Sequence, residues 1–177
     1  MKDRTKQALA KALQDLLRTK SLEEVRVSEL CARCDLQRQS FYYHFQDKYD
    51  LVAWIFLQDF TSAFSAHGNR LSPDCIAQIL HAVSDKREMY LRILADRSQN
   101  LPLMYIKKYI EKQSVELLKQ RDGVDDISPR SRVMVKCLVY GGIGITWEWM
   151  AGDISVSEDT LATWLCEMIP EELLVLE

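Results

Sequence analysis

Between Val27 and Leu51 the chain reads VSELCARCDLQRQSFYYHFQDKYDL. Gln37, Arg38 and Gln39 are three consecutive long side chains that end in an amide or a guanidinium. Gln pairs bidentately with the edge of adenine, and Arg with that of guanine. Ser40, Tyr42, Tyr43 and His44 follow, each with a group that can donate to a phosphate oxygen. Ser28 and Lys48 flank them, Lys48 at the start of a helix whose N-terminus already favours phosphate. The chemistry on offer is recognition of a DNA duplex, with Gln37, Arg38 and Gln39 on bases and Ser28, Ser40, Tyr42, Tyr43, His44 and Lys48 on the backbone. The same residues also fit a plainer reading, a small helical hairpin with a solvated polar face.

To read a major groove these side chains need two short helices around a tight turn. Ser28 is a good N-cap for the first, with Val27 before it as a staple. Leu30, Cys31 and Cys34 form its inner face, and Cys31 is small enough for a crossing helix. Asp35 falls where the turn needs positive φ, and Leu36 plugs the core behind it. The second helix runs from about Gln37 to His44, anchored by Phe41 and Phe45. Before the pair, Leu9, Ala12, Leu13, Leu16 and Leu17 make one apolar stripe on a helix from about Asp3 to Thr19. After it, Asp47 caps a long helix reaching about Ala66, with Leu51, Trp54, Ile55 and Phe64 inward.

The rest is also helical in period. Helices are expected over Pro73–Ser84, Lys86–Asp96, Pro102–Arg121, Pro129–Ala151 and Ser157–Ile169. The prolines sit near helix starts, and His67-Gly68-Asn69, Asp122-Gly123 and Gly152-Asp153 act as stops. The fold class is therefore all-α, about nine helices. A three-helix head over residues 1–46 carries the helix-turn-helix, and a helical effector-binding and dimerisation domain fills 47–177.

Composition agrees. The chain has 177 residues, 47% hydrophobic and 28% charged, enough to bury a core without metals or staples. Net charge is −3, which argues against indiscriminate coating of nucleic acid. Residues 1–56 hold ten Lys and Arg against eight Asp and Glu, so a mildly basic head sits on an acidic body. Met1–Lys11 is polar and charged, no apolar run reaches membrane-spanning length, and the five Cys are scattered; the expected compartment is the cytoplasm.

The head segment resembles that of TetR/AcrR-family regulators. The resemblance rests on Val27-x-x-Leu30-Cys31, Asp35-Leu36, Ser40-Phe41-Tyr42-Tyr43-His44-Phe45 and Lys48-x-x-Leu51. It covers about the first 55 residues, and Asp35 stands where the family has Gly. Tyr49-Asp50-Leu51, Trp54-Ile55-Phe56 and the helix carrying Gly141-Gly142 and Trp147-x-Trp149-Met150 resemble one branch, the dihydroxyacetone-kinase operon (DhaS-like) activators. The resemblance implies a transcriptional regulator that binds a palindromic double-stranded DNA operator as a homodimer. An effector in the C-terminal domain would switch it, a small molecule or, as that branch suggests, a protein. The alternative is a helical protein–protein interaction module, or a co-activator-dependent activator with no small-molecule effector.

Other constellations carry less. Cys31-x-x-Cys34 has no second pair at zinc spacing and reads as packed core thiols. No carboxylate pair has the context of acid–base work, and no glycine loop cradles phosphate, so neither an enzyme, a cofactor nor a metal is expected. Gly141, Gly142 and Gly144 read as small residues permitting close helix packing. Trp54, His81, Tyr90, Tyr105 and Tyr109 are candidate effector-pocket liners, with His81 otherwise a satisfied core residue. Val139, Ile143, Trp147, Leu161, Trp164 and Leu165 are candidate dimer-interface residues, because the last two helices hold more apolar surface than one pair hides.

Overall fold

The computed structural model describes residues 2–94 and 101–173. Among them are nine α-helices: α1 (Lys2–Leu17), α2 (Val27–Arg33), α3 (Arg38–His44), α4 (Lys48–Ala66), α5 (Pro73–Ser84), α6 (Arg87–Leu94), α7 (Leu101–Asp122), α8 (Pro129–Ala151) and α9 (Glu158–Glu167). A 3₁₀ turn over Glu171–Leu173 follows. The all-α expectation holds, and the helices expected over Pro73–Ser84 and Pro129–Ala151 match α5 and α8 to the residue. The last two residues expected in α6, 95 and 96, lie outside the described residues.

Helix ends follow local chemistry. Ser72, Ser128 and Ser157 accept from the backbone N–H three residues on, at Cys75, Ser131 and Thr160, and so cap α5, α8 and α9. Pro73 and Pro129 occupy the first helical turn, where a missing N–H is harmless. The expected stops do stop: Gly68, Asn69, Gly123 and Gly152 all have positive φ.

The chain divides into two compact units, the described residues of Met1–Phe56 with Lys86–Ile106, and those of Leu57–Asp85 with Lys107–Glu177. This differs from the expected boundary at 46/47. The first half of α4 buries Leu51, Val52, Ala53, Ile55 and Phe56, so its apolar surface belongs with the head. In the first unit Leu9, Ala12, Leu13, Leu16 and Leu17 are all buried, as the stripe requires, and Phe56 meets the fully buried Tyr90 edge to face at 5.9 Å. In the second unit α5 packs on α9 through Ile76, Leu80, Leu161 and Ala162, with Leu165 and Cys166 partly buried against them.

Candidate nucleic-acid interface

The turn between α2 and α3 is built as its residues demand. Asp35 sits at φ 53, in the left-handed region that its short polar side chain tolerates. The Leu36 N–H reaches back to the Cys31 carbonyl at 2.9 Å and closes the end of α2. Cys31 is buried where α3 crosses, and burial pushes its thiol above the usual cysteine range, partly offset by the nearby Arg38 charge.

One face of α3 is driven inward by aromatics. Phe41 is 0% exposed, and Phe45 at the helix end is buried as well. Phe45 lies 5.8 Å from Phe41 and meets Trp54 of α4 edge to face at 6.0 Å. The Lys6 ammonium from α1 sits over both Phe45 and Trp54, 5.6 and 5.7 Å from their centroids. With this face pinned, the helical period turns Gln37, Arg38 and Gln39 to solvent. Tyr42 and Tyr43 are 57% and 68% exposed, with Tyr42 edge to face on Phe41 and Tyr43 on His44. Ser40 and His44 are half-buried at the edge of this face.

Two backbone candidates behave differently from expectation. Ser28 does not cap α2. The N-cap is Arg26, in extended conformation and without a side-chain cap bond, and the helix starts one residue before Ser28, which lies half-buried in the first turn. Lys48 is turned inward. Its ammonium donates to the carbonyls of Leu22, Glu23 and Val25 at 2.7, 2.9 and 3.0 Å. An ammonium has three N–H donors, and this one also lies over the Tyr49 ring, 5.4 Å from its centroid. Lys48 therefore ties the link before α2 to the start of α4, which no spacing in the sequence disclosed.

The link after α3 is equally held. Asp47 Oδ1 accepts from the N–H groups of Tyr49 and Asp50 at 2.8 and 2.9 Å, the expected cap of α4. The buried Asp50 carboxylate in turn accepts from the Gln46 N–H at 2.9 Å. Tyr105 of α7 donates its hydroxyl to Asp47 Oδ2 at 3.0 Å and reaches Gln46 Oε1 at 3.3 Å. Burial, and then the Asp47 carboxylate, push that hydroxyl above the usual tyrosine range, so it stays a donor.

The pocket candidates are divided between the two units. Trp54, Tyr90 and Tyr105 belong to the first unit, where Trp54 packs on Phe45, Tyr90 is fully buried, and Tyr105 serves Asp47. His81 and Tyr109 belong to the second. His81 is exposed rather than in the core, with Nδ1 3.2 Å from Glu158 and Nε2 3.8 Å from Asp85.

The interface candidates split by face. Val139, Ile143, Trp147 and Leu161, expected at a partner surface, are buried within the single chain. Leu165 is half-buried and Trp164 is 50% exposed. The outward stripe of α8 is instead Val133, Cys137, Tyr140 and Gly141, at i, i+4, i+7 and i+8, with Val133 60% exposed. A Cβ placed on Gly141, Gly142 or Gly144 would meet nothing within 4 Å, so these glycines make no close approach inside the chain. Among the described residues no helix is long and apolar enough to cross a membrane.

Residues 9–55 match the description "Bacterial regulatory proteins, tetR family", and residues 72–171 match "Transcriptional regulator C-terminal region". A stretch of 56 residues is 36% identical to the HTH-type dhaKLM operon transcriptional activator DhaS of Lactococcus lactis subsp. lactis, strain IL1403. It spans 32% of this chain and 30% of that relative. The structure of the dihydroxyacetone kinase operon activator DhaS superposes with a TM-score of 0.55 at 20% identity, over 93% of both chains. A TetR transcriptional regulator from Rhodococcus sp. RHA1 superposes at 0.62 and 14% identity, over 96% of this chain and 97% of that one. The two family matches together take in both the head and most of the helical body, and the chain is a member of the TetR family of transcriptional regulators, with a DNA-binding helix-turn-helix at its head.

Proposed function

We propose that the protein binds a palindromic operator as a homodimer, with α3 of each copy in the major groove and its state set by an effector of the C-terminal domain. Gln37, Arg38 and Gln39 read bases, while Ser40, Tyr42, Tyr43 and His44 position the helix on phosphates. The observation that carries this is the contrast on α3, an outward row of long polar and tyrosyl side chains held up by a fully buried Phe41. Ser28 fits a phosphate contact only at the margin, and Lys48 serves the head's own backbone. The homodimer is supported by the second apolar stripe on α8 and by Trp164 and Met168 on α9, exposed in one chain and suited to burial against a symmetry mate. Its residues are then Val133, Tyr140, Trp164 and Met168, with Leu165 at the edge.

The test is a gel-shift titration on duplexes enriched by the protein from a randomised pool. Arg38→Ala is expected to weaken binding to the enriched duplex by about tenfold to a hundredfold and to relax preference at one base pair in each half-site. An unchanged preference would remove Arg38 from base reading.

A second reading concerns the effector. The relative matched at 36% identity is named an operon activator, and of the candidate liners Tyr90 is fully buried, Trp54 packs on Phe45 and Tyr105 serves Asp47. The engagement of these side chains within the head is the support for an activator whose effector is a protein rather than a small molecule. Retention of a partner from the same operon by the immobilised full chain, with no small-molecule response, would support it.

A further inference from the structure

We infer that Tyr105 is a positioning residue for DNA reading, because its hydroxyl holds the three-residue link that aims α3 while acting through Asp47. α3 ends at His44 and α4 begins at Lys48, so Phe45, Gln46 and Asp47 alone set the angle between them. Phe45 is fixed by burial between Phe41 and Trp54. Gln46 is fixed through its N–H by Asp50. Asp47 spends one oxygen, Oδ1, on the N-terminal turn of α4.

The other oxygen, Oδ2, takes the Tyr105 hydroxyl at 3.0 Å, a bond that spans 58 residues of sequence. It is charge-assisted, hence stronger than a neutral one. The other hydrogen bonds described for the link come from α4 itself, and Lys6 of α1 sits over the Phe45 ring. Tyr105 fastens the link by a hydrogen bond from a helix far along the chain, and it belongs to the same compact unit as the head. Lys48 makes the matching fastening on the other side, to the carbonyls before α2. A helix that reads bases must be held within about half an ångström of its productive pose, so such second-tier bonds act on discrimination more than on charge attraction.

The inference rests on α3 reading bases, and the experiment separates the two. Wild type, Tyr105→Phe, Asp47→Asn and the double variant, all full chain, are titrated against a duplex enriched by the wild type from a randomised pool. A scrambled duplex of equal length and composition is run beside it. Tyr105→Phe removes one oxygen atom. Asp47→Asn keeps an equally good cap for α4 but removes the charge that strengthens the Tyr105 bond.

Tyr105→Phe is expected to bind the enriched duplex about tenfold more weakly and the scrambled one as the wild type does. Asp47→Asn should fall in the same direction, and the double variant no further than the weaker single variant. If Tyr105→Phe does not fold, Asp47→Asn alone must show the selective loss. Equal binding of the enriched duplex by wild type and Tyr105→Phe overturns the inference. So does an equal loss on both duplexes, which is a general structural defect, or additive losses in the double variant. Should Arg38→Ala lose preference while Tyr105→Phe keeps it, the inference alone fails. If the wild type enriches no duplex, base reading by α3 fails with it.

Discussion

In α3 the inward and outward residues differ in kind, whereas in α8 they do not. α3 buries Phe41 completely and presents Gln37, Arg38, Gln39, Tyr42 and Tyr43 to solvent. α8 buries Val135, Val139, Ile143, Trp147 and Met150, yet its opposite stripe of Val133, Cys137, Tyr140 and Gly141 is apolar too. A helix with one polar face declares its orientation. A helix apolar on two sides declares only that something must cover each. The lesson is that orientation is readable where contrast is high, and that a second apolar face leaves open what covers it.

The strongest way to break this comparison is to truncate the inward residue of each helix. Phe41→Ala is expected to cost about 3–5 kcal/mol and Ile143→Ala about 2–5 kcal/mol, since both leave cavities in packed interiors. Tyr43→Ala and Val133→Ala should each fall within about 0.5 kcal/mol of wild type in denaturant unfolding at low protein concentration. If Val133→Ala destabilised the chain as Ile143→Ala does, the two stripes of α8 would have been wrongly told apart.

A smaller effect is expected at Lys48. Lys48→Met keeps most of the stem and removes three hydrogen bonds to carbonyls. It should cost about 1.5–3 kcal/mol in thermal unfolding. The slope of log affinity against log salt, measured on DNA, should stay as in the wild type, because the ammonium is engaged with the protein's own backbone. A slope reduced by about one would return Lys48 to the phosphate contacts.

Much of the fold was legible because its punctuation is local. Serine caps, prolines in first turns, glycines after last turns and the stripe from Leu9 to Leu17 each act over a few residues. The outward set on α3 was legible for the same reason, through Phe41 and Phe45 four apart. What was missed depends on bonds across long separations. Lys48 meets Leu22, Glu23 and Val25, and Tyr105 meets Asp47, and no period links those positions. Ser28 reads as the cap because it precedes an apolar run, although the N-cap is Arg26, two residues earlier, and has no side-chain cap bond. Apolarity alone does not tell the stripe of α8 that is buried within the chain, Val139, Ile143 and Trp147, from the one that is exposed, Val133 and Tyr140.

The finest test of the two stripes uses the thiols. Cys137 is exposed on the outward stripe of α8. Cys31 and Cys75 are buried, and Cys34 and Cys166 partly so. Burial pushes the thiols of all four above the usual cysteine range. The thiolate is the nucleophile, so at mildly alkaline pH these four carry less of the reactive form and are shielded as well. Alkylation followed by peptide mapping is expected to label Cys137 first in dilute protein. If a second copy covers the outward stripe, the Cys137 rate should fall as protein concentration rises, while the slow rates of Cys31 and Cys75 stay constant. The fall should track the dimer fraction measured by sedimentation. A Cys137 rate independent of concentration, in a sample that sediments as a dimer, would place the seam on another face and leave the outward stripe of α8 for a different partner.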